Sequence, residues 1–379
     1  MANTDLIQIL SDLIRTGSVN PAYDSQSSEC AIQRQIASYF RHHGIETCEQ
    51  EVLDGRSNVI AKFPGKNSGR RIVFEAHCDT AGVDGMRILP FDPQVRDGRI
   101  YGRGACDTKA GLAAMMLAIV DLKQAKMQPP CEVWVASTID EEHAYRGVLN
   151  LCESLESAAA VVSEPTDMKM AVASKGCLRW RITVNGKTAH SSKPELGTNA
   201  IVQMAWIIRL LEDHSRKLQE AHHPLVGSPT LNVGLIQGGT QVNNVPDACW
   251  IEIDRRLIPG EEPERILTSY RDLLNGLQAS RPVFKWSMET ILQDQPMQTP
   301  VGAAIATCAS RALKEAGLDG SPVGVPFGSD ASKFARVGIP SIILGPGRIE
   351  QAHTAEEYVE LEEVEKAFVV YRNLMRSFE

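Results

Sequence analysis

Side chains able to hold metal ions or carry protons recur where apolar, strand-like runs end. His77 and Asp79 close "RIVFEAHCD", Glu141 and Glu142 follow "VWVASTI", Glu164 ends "AAAVVSE", and His353 follows "SIILGPGRIEQAH". Asp107 comes after the glycine-rich turn "YGRGACD" and is read as the cap of the helix behind it. The acids Asp140, Glu141 and Glu142 are consecutive, so they repel one another, and burying any of them requires a nearby positive charge. Two histidines and at least three carboxylates make a ligand set for two divalent cations of hard to borderline character. One carboxylate can bridge such a pair at about 3.5–4 Å, the arrangement of two-metal hydrolytic sites. The expected counter-charge of the acidic run is therefore a metal pair, with one glutamate of "EE" ligating and its neighbour moving protons.

Taken singly, each of these residues has an ordinary reading. A lone histidine after a strand is usually just hydrogen-bonded, "EE" suits a solvated loop, and Glu164 before Pro165 suits a turn. Gly102 and Gly104 imitate a dinucleotide fingerprint, but Asp107 stands where its third glycine belongs. Only the joint pattern points to metal chemistry.

Strand ends converge in an open α/β sheet, and the flanking sequence predicts one. Up to about residue 175, strands "NVIAKF", "RIVFEAH", "CEVWVAST" and "AAAVVSE" alternate with helical patterns such as "TKAGLAAMMLAIVDLKQAK". The opening segment reads as an amphipathic helix with Leu6, Ile9, Leu10, Leu13 and Ile14 on one face, not as a signal peptide. From about 177 the order becomes strand "CLRWRITVNG", helix "NAIVQMAWIIRLLEDHSRKL", strands "TLNVGLIQGG" and "DACWIEIDRR", helix "PERILTSYRDLLNGLQ" and strand "VFKWSMETI". That β-α-β-β-α-β order is the ferredoxin-like split unit. Its first helix is expected to bury Ile201, Met204, Ala205, Ile208 and Leu211. After about 292 the α/β pattern resumes, with strand "IPSIILGPG" and a closing helix from about 360. The expected fold is an α/β, mainly parallel-sheet catalytic domain (1–175 and 292–379) interrupted by an α+β ferredoxin-like domain (176–291).

The chain has 379 residues, 43% of them apolar, and a formal net charge of −8. An acidic chain without a basic block argues against nucleic acid as a partner. No run approaches the roughly 18 apolar residues of a membrane span. Nine scattered cysteines without a C-x-x-C pair suit reduced thiols, so the expected location is the cytoplasm.

The motifs "SVNP", "HCD", "GRGACDTKAG", "DEE", "SEPT", "GKTAHSSKPELGTNAI", "GGTQVNNVP", "DRRLIPGE", "GSDASKF" and "GPGRIEQAHTAEEY" occur in this order. In them the chain resembles, over nearly its whole length, the di-zinc aminoacylase and carboxypeptidase family. The resemblance implies one metal held by His77 and Glu164 and another by Glu142 and His353, with Asp107 bridging and the peptide bond after it cis. Asp79 would orient His77, and Glu141 would be the general acid/base. The chain reads "DTKAG" where the family usually has "DMKGG", but Asp107 and Gly111 are retained. The resemblance further implies that the inserted domain is a dimerisation or lid domain. Its His190 would stabilise the oxyanion in the partner subunit's site, and Arg256 and Asn243 would bind the substrate's carboxylate. His42, His43, His143, His214, His222 and His223 match no family position.

Implied overall are a homodimer, two divalent ions (Zn2+, with Co2+ or Mn2+ as alternatives) and hydrolysis of a small N-acyl amino acid. The tail motif is most similar to the acetylornithine deacetylase form, implying N-acetyl-L-ornithine as substrate, in arginine synthesis. Succinyl-diaminopimelate, or the peptides of a carboxypeptidase or dipeptidase, are the alternatives within the family. A non-catalytic binding protein is the alternative from another class.

Overall fold

The computed structural model describes residues 2–281 and 285–379. The chain divides into two compact units, one of residues 1–172, 298–323 and 329–379, the other of residues 173–297 and 324–328.

In the larger unit the central sheet runs in the order Glu46–Leu53, Arg56–Phe63, Cys131–Thr138, Asn67–His77, Ala159–Val162, Ser341–Ile343. Its middle is parallel, joining Asn67–His77 to Cys131–Thr138 on one side and to Ala159–Val162 on the other, with Ser341–Ile343 beyond. Antiparallel pairing occurs at the edge formed by Glu46–Leu53 and Arg56–Phe63, and again where Ser341–Ile343 meets Ala171–Ser174. The central strands are buried on both faces, as their near-continuous Val, Ile and Ala content requires. Helix Lys109–Gln124 is buried along most of its length, packed against helices Ala2–Arg15 and Leu361–Ser377. Leu6, Ile9, Leu10, Leu13 and Ile14 of the first helix are all buried, the face the sequence assigned. Among the described residues no helix is long and apolar enough to cross a membrane.

The smaller unit holds a four-stranded antiparallel sheet in the order Thr230–Gly238, Ala248–Leu257, Gly176–Asn185, Lys285–Asp294. Helices Ala200–Leu218 and Pro263–Ser280 join these strands in the split β-α-β-β-α-β order. Val283 and Phe284 of the expected last strand lie outside the described residues. Asn199 caps the first helix by accepting the Val202 N–H at 3.1 Å. The buried stripe of this helix is Ala200, Met204, Ile207 and Leu211, so the expected face needs correcting. Ile201 and Ala205 point to solvent, because the stripe follows a 4-3-4 spacing that starts one residue earlier.

Candidate metal centre

Sheet register gathers the candidate residues. Parallel pairing sets His77 level with Thr138, and Val162 level with both Glu75 and Ile343. All four strands therefore end at one edge of the sheet. The turns leaving them carry Glu141 and Glu142, Glu164, and His353 to the same place. Asp107 arrives from the turn before helix Lys109–Gln124. That helix can pass close to the strand ends because position 111 is glycine, where a Cβ would lie 1.7 Å from Ser163 Oγ. The N-cap position is Thr108, not Asp107 as the sequence suggested. The Asp107 carboxylate is turned instead toward two imidazoles, and the Asp107–Thr108 peptide bond is cis.

His77 Nε2 stands 3.1 Å from Asp107 Oδ1, and His353 Nε2 stands 3.3 Å from Asp107 Oδ2 and 2.9 Å from Glu142 Oε1. Two sets of donor atoms result, His77–Asp107–Glu164 and Asp107–Glu142–His353, each within 4.8 Å of one another and sharing Asp107. Metal–donor bonds of about 2.0–2.2 Å place neighbouring tetrahedral ligands roughly 3.3 Å apart, close to these separations. Glu141 is beside them, its Oε2 at 4.0 Å from His77 Nε2.

The electrostatics of the cluster call for cations. Burial, reinforced by the charges of Asp107 and Glu141, pushes Glu164 well above the usual carboxylate range. Burial also raises Glu141 strongly, with Asp330, Glu142 and Asp107 adding to it and His77 opposing. Burial opposes ionisation of Asp107 too, but His353 and His77 outweigh it and hold this carboxyl low. Asp107 and Glu142 in turn raise His353 to about 10. Four carboxylates face two imidazoles here, so the donor set fits divalent ions in both number and chemistry.

Asp79 is fully buried behind this cluster. His77 Nδ1 lies 3.0 Å from the Asp79 carbonyl and 3.6 Å from its carboxylate. The carboxylate oxygens accept the main-chain N–H groups of Glu141 and Glu142, each at 3.1 Å. Asp140 turns away from the metal donors: its oxygens lie 3.3 Å from Arg56 Nη2 and 3.4 Å from Arg146 Nε. Of the acidic run, only Glu141 and Glu142 therefore lie beside the candidate metal donors, whereas arginines of the chain balance Asp140.

Several buried polar residues escaped sequence reasoning. Glu75 is 1% exposed, accepts Thr138 Oγ1 at 2.5 Å and is raised by burial to about 7. Asp330 shares that interior, also pushed up by burial. Glu357 receives main-chain N–H groups from the turn that carries Asp107. A charge within an apolar strand was the available signal for Glu75, and the motif "GSDASKF" for Asp330.

His190, Asn243 and Arg256 belong to the smaller unit. His190 and Asn243 sit on adjoining loops, where Ser191 N–H donates to the Asn243 carbonyl at 2.9 Å and Val245 N–H to the Ala189 carbonyl at 2.8 Å. Ser192 Oγ is 2.8 Å from His190 Nδ1. Arg256 Nε donates to Asp254 Oδ1 at 2.8 Å. Among the unassigned histidines, His43 lies against the Tyr39 carbonyl and His214 packs edge-on to Tyr270.

Known proteins resemble this chain in sequence and fold. An acetylornithine deacetylase from Myxococcus xanthus is 31% identical over 352 residues, covering 88% of each chain. The N-formyl-4-amino-5-aminomethyl-2-methylpyrimidine deformylase of Bacillus subtilis is 27% identical, covering 99% of this chain and 93% of its own. A tripeptidase of Staphylococcus aureus superposes with a TM-score of 0.82 at 23% identity, covering 99% of this chain and 98% of its own. The model of peptidase family M20/M25/M40 matches residues 73–377, and the chain belongs to that family.

Proposed function

We propose that the protein hydrolyses the amide bond of an N-acyl amino acid, with N-acetyl-L-ornithine the first substrate to try and arginine synthesis the setting. The observation that carries this reading is the pair of donor sets sharing Asp107, with Glu141 beside them. His77 and Glu164 would hold one ion, Glu142 and His353 the other, and Asp107 would bridge. Zinc is the favoured metal, with cobalt or manganese as alternatives. The ions, when bound, supply Lewis acidity toward water and the substrate's carbonyl. Glu141 takes a proton from the attacking water and delivers it to the departing amine. Asp79, by holding the Glu141 and Glu142 amides, keeps base and ligand in fixed relation. From the smaller unit, Arg256 and Asn243 would bind the substrate's carboxylate, and His190 would donate to the oxyanion developing in the partner subunit's site.

In this reading the smaller unit is a dimerisation and lid domain. Its edge strand Thr230–Gly238 leaves Leu235 and Ile236 more than half exposed, and its first helix exposes Ile201, Val202 and Trp206. Exposed apolar residues on an edge strand suit pairing with a second copy. All nine cysteines are free thiols, which supports a cytoplasmic setting.

The deformylase and tripeptidase relatives keep other acyl groups and short peptides open, succinyl-diaminopimelate among them. A hydrolysis screen of the zinc- and cobalt-loaded protein against N-acetyl-L-ornithine, N-acetyl-L-citrulline, N-succinyl-diaminopimelate and di- and tripeptides tests the proposal. Release of acetate and ornithine at the highest kcat/KM is expected. Peptide hydrolysis without deacylation would replace the substrate, and no turnover of any of them would overturn the catalytic reading.

A further inference from the structure

The motif "SVNP" has so far no role, yet its asparagine lies at the centre of the charge arrangement behind the metal donors. The Ser18–Asn20 segment is laid alongside Cys78–Thr80. Ser18 Oγ donates to the Cys78 carbonyl at 2.6 Å, Thr80 N–H to the Ser18 carbonyl at 2.9 Å, and Asn20 N–H to the Thr80 carbonyl at 2.9 Å. Asn20 is 1% exposed, and its amide nitrogen reaches two buried carboxylates, Asp79 Oδ2 at 2.8 Å and Asp140 Oδ1 at 3.2 Å. One amide has two hydrogens, so each carboxylate receives one. The amide cannot turn over without loss, because its oxygen accepts the Ala22 N–H at 3.0 Å.

Two buried anions joined through a single neutral amide would force each other apart or take up protons. Arg56 removes that difficulty on the Asp140 side. Its guanidinium forks onto Glu29 at 2.7 and 2.5 Å and reaches Asp140 at 3.3 Å. With Arg146 Nε at 3.4 Å, it gives Asp140 cationic partners that do not draw Asn20 from Asp79. Asp79 in turn accepts the N–H groups of Glu141 and Glu142.

We propose that Asn20 is a positioning residue that locks the Asp79 carboxylate onto the Glu141 and Glu142 backbone, and that Arg56 sustains it by neutralising Asp140. The inference rests on the proposed roles of Glu141 and Glu142, but its first test needs no substrate. Hydrogen exchange of the purified full chain, resolved at residues 139–145, should quicken by about tenfold or more in Asn20→Ala, while strand Cys131–Thr138 keeps its protection. Arg56→Met/Glu29→Gln, which removes the guanidinium without stranding Glu29, should show a weaker form of the same effect, and adding Asp140→Asn should relieve it. The d–d absorption of the Co2+-loaded protein, which reads Glu142 as a ligand, should shift in Asn20→Ala and match the wild type in Arg56→Met/Glu29→Gln/Asp140→Asn. With any substrate the screen yields, kcat should fall about 10- to 100-fold in Asn20→Ala at nearly constant KM.

Wild-type exchange at 139–145 in Asn20→Ala would overturn the proposal. So would a loss of protection spread evenly over the sheet, which would make Asn20 merely structural. If Asn20→Ala does not fold, the Arg56, Glu29 and Asp140 variants decide, and failure of Asp140→Asn to relieve Arg56→Met/Glu29→Gln counts against it. A screen without turnover would remove the proposed function while leaving the exchange result to stand by itself.

Discussion

The carboxylate of Glu357 accepts the main-chain N–H of Asp107 at 3.1 Å, across 250 residues of sequence. The same oxygen accepts Cys106 N–H at 2.9 Å, and the other accepts Gly104 N–H at 3.1 Å and the Arg103 guanidinium at 2.7 Å. One fully buried anion thus ties down the whole glycine turn that presents the shared metal donor. Gly104 has φ +80°, and a Cβ there would meet Thr80 Cγ2 at 2.8 Å, so the turn cannot be rebuilt with an ordinary residue.

Removing Glu357 should therefore be costly. Glu357→Ala leaves Arg103, 3% exposed, buried without its anion, and a broken buried pair costs roughly 3–5 kcal/mol. Urea unfolding should report a loss of that size, and Arg103→Met should recover part of it when combined with Glu357→Ala. A loss below about 0.5 kcal/mol, the level of an unremarkable surface change, would show that the pair does not hold the turn.

The two donor sets differ in access, and this predicts how metal leaves. His77 is 2% exposed at its side chain, whereas His353 is 53% exposed. Dilute chelator should remove one equivalent quickly, through the His353 set, and the second slowly. Elemental analysis during dialysis should show two phases in the wild type, with the fast one missing in His353→Ala. A single phase releasing both equivalents together would contradict the assignment.

Glu141 and Glu142 are adjacent but differently engaged, so their amide variants should separate. Glu142→Gln loses a charge that lies 2.9 Å from His353 Nε2 and should weaken one metal site. Glu141→Gln should retain both metals and lose about 10²–10⁴-fold in kcat, the contribution of a positioned proton carrier. Metal titration beside turnover checks the division; identical metal isotherms for the two variants would refute it.

How much of this was legible in the sequence depended on the range of each interaction. His77, Glu142, Glu164 and His353 could be grouped because a parallel sheet delivers its strand ends to one edge, and apolar runs mark those ends, whereas Asp107 was marked by its glycine turn. The split β-α-β-β-α-β order was equally readable, from alternating strand and helix patterns. What balances Asp140 was not readable, because Arg56 begins a strand 84 residues away and no local pattern links them. Glu357 and Asn20 were visible only as letters within motifs, since the turn and arginine that Glu357 holds and the two carboxylates that Asn20 reaches lie far from them in the chain. Asp107 was taken for a helix cap because local propensity favours that role, whereas the histidines that actually engage it lie 30 residues before it and far beyond it in the chain.

Lys109 offers a test against pH. Its ammonium is fully buried, donates to the Leu13 and Thr16 carbonyls at 3.0 and 3.1 Å, and is brought by burial from 10.5 to about 8. Between those values the unfolded chain binds the proton that the folded chain has released, so stability rises with pH across the interval. Below about pH 8 the full cost of the buried charge is present. The stability of the wild type relative to Lys109→Met should therefore grow by roughly 2 kcal/mol from pH 7.5 to 10. A pH-independent difference in urea unfolding would show that Lys109 keeps its ordinary titration.

Arg256 carries the proposed reading of the substrate's carboxylate. Asp254 holds its Nε at 2.8 Å and also accepts Arg179 Nε at 2.8 Å, so the cluster pairs two guanidinium groups with one carboxylate. Asp254 also lies 3.4 Å from Arg256 Nη2 and so fixes the direction of the guanidinium. A substrate carboxylate would offer Arg256 a further charged partner, whereas an amidated substrate brings none. Loss of a charged hydrogen-bond partner costs about 1.5–3 kcal/mol. Arg256→Ala should accordingly raise KM about 10- to 100-fold for free-acid substrates, with kcat changed far less. The wild type should handle the amidated analogue about as poorly as the variant handles the acid, and Arg256→Ala should add little further loss with that analogue. Steady-state kinetics on the acid and amide pair with both proteins completes the cycle. Equal KM values for acid and amide in the wild type would show that Arg256 does not read this group.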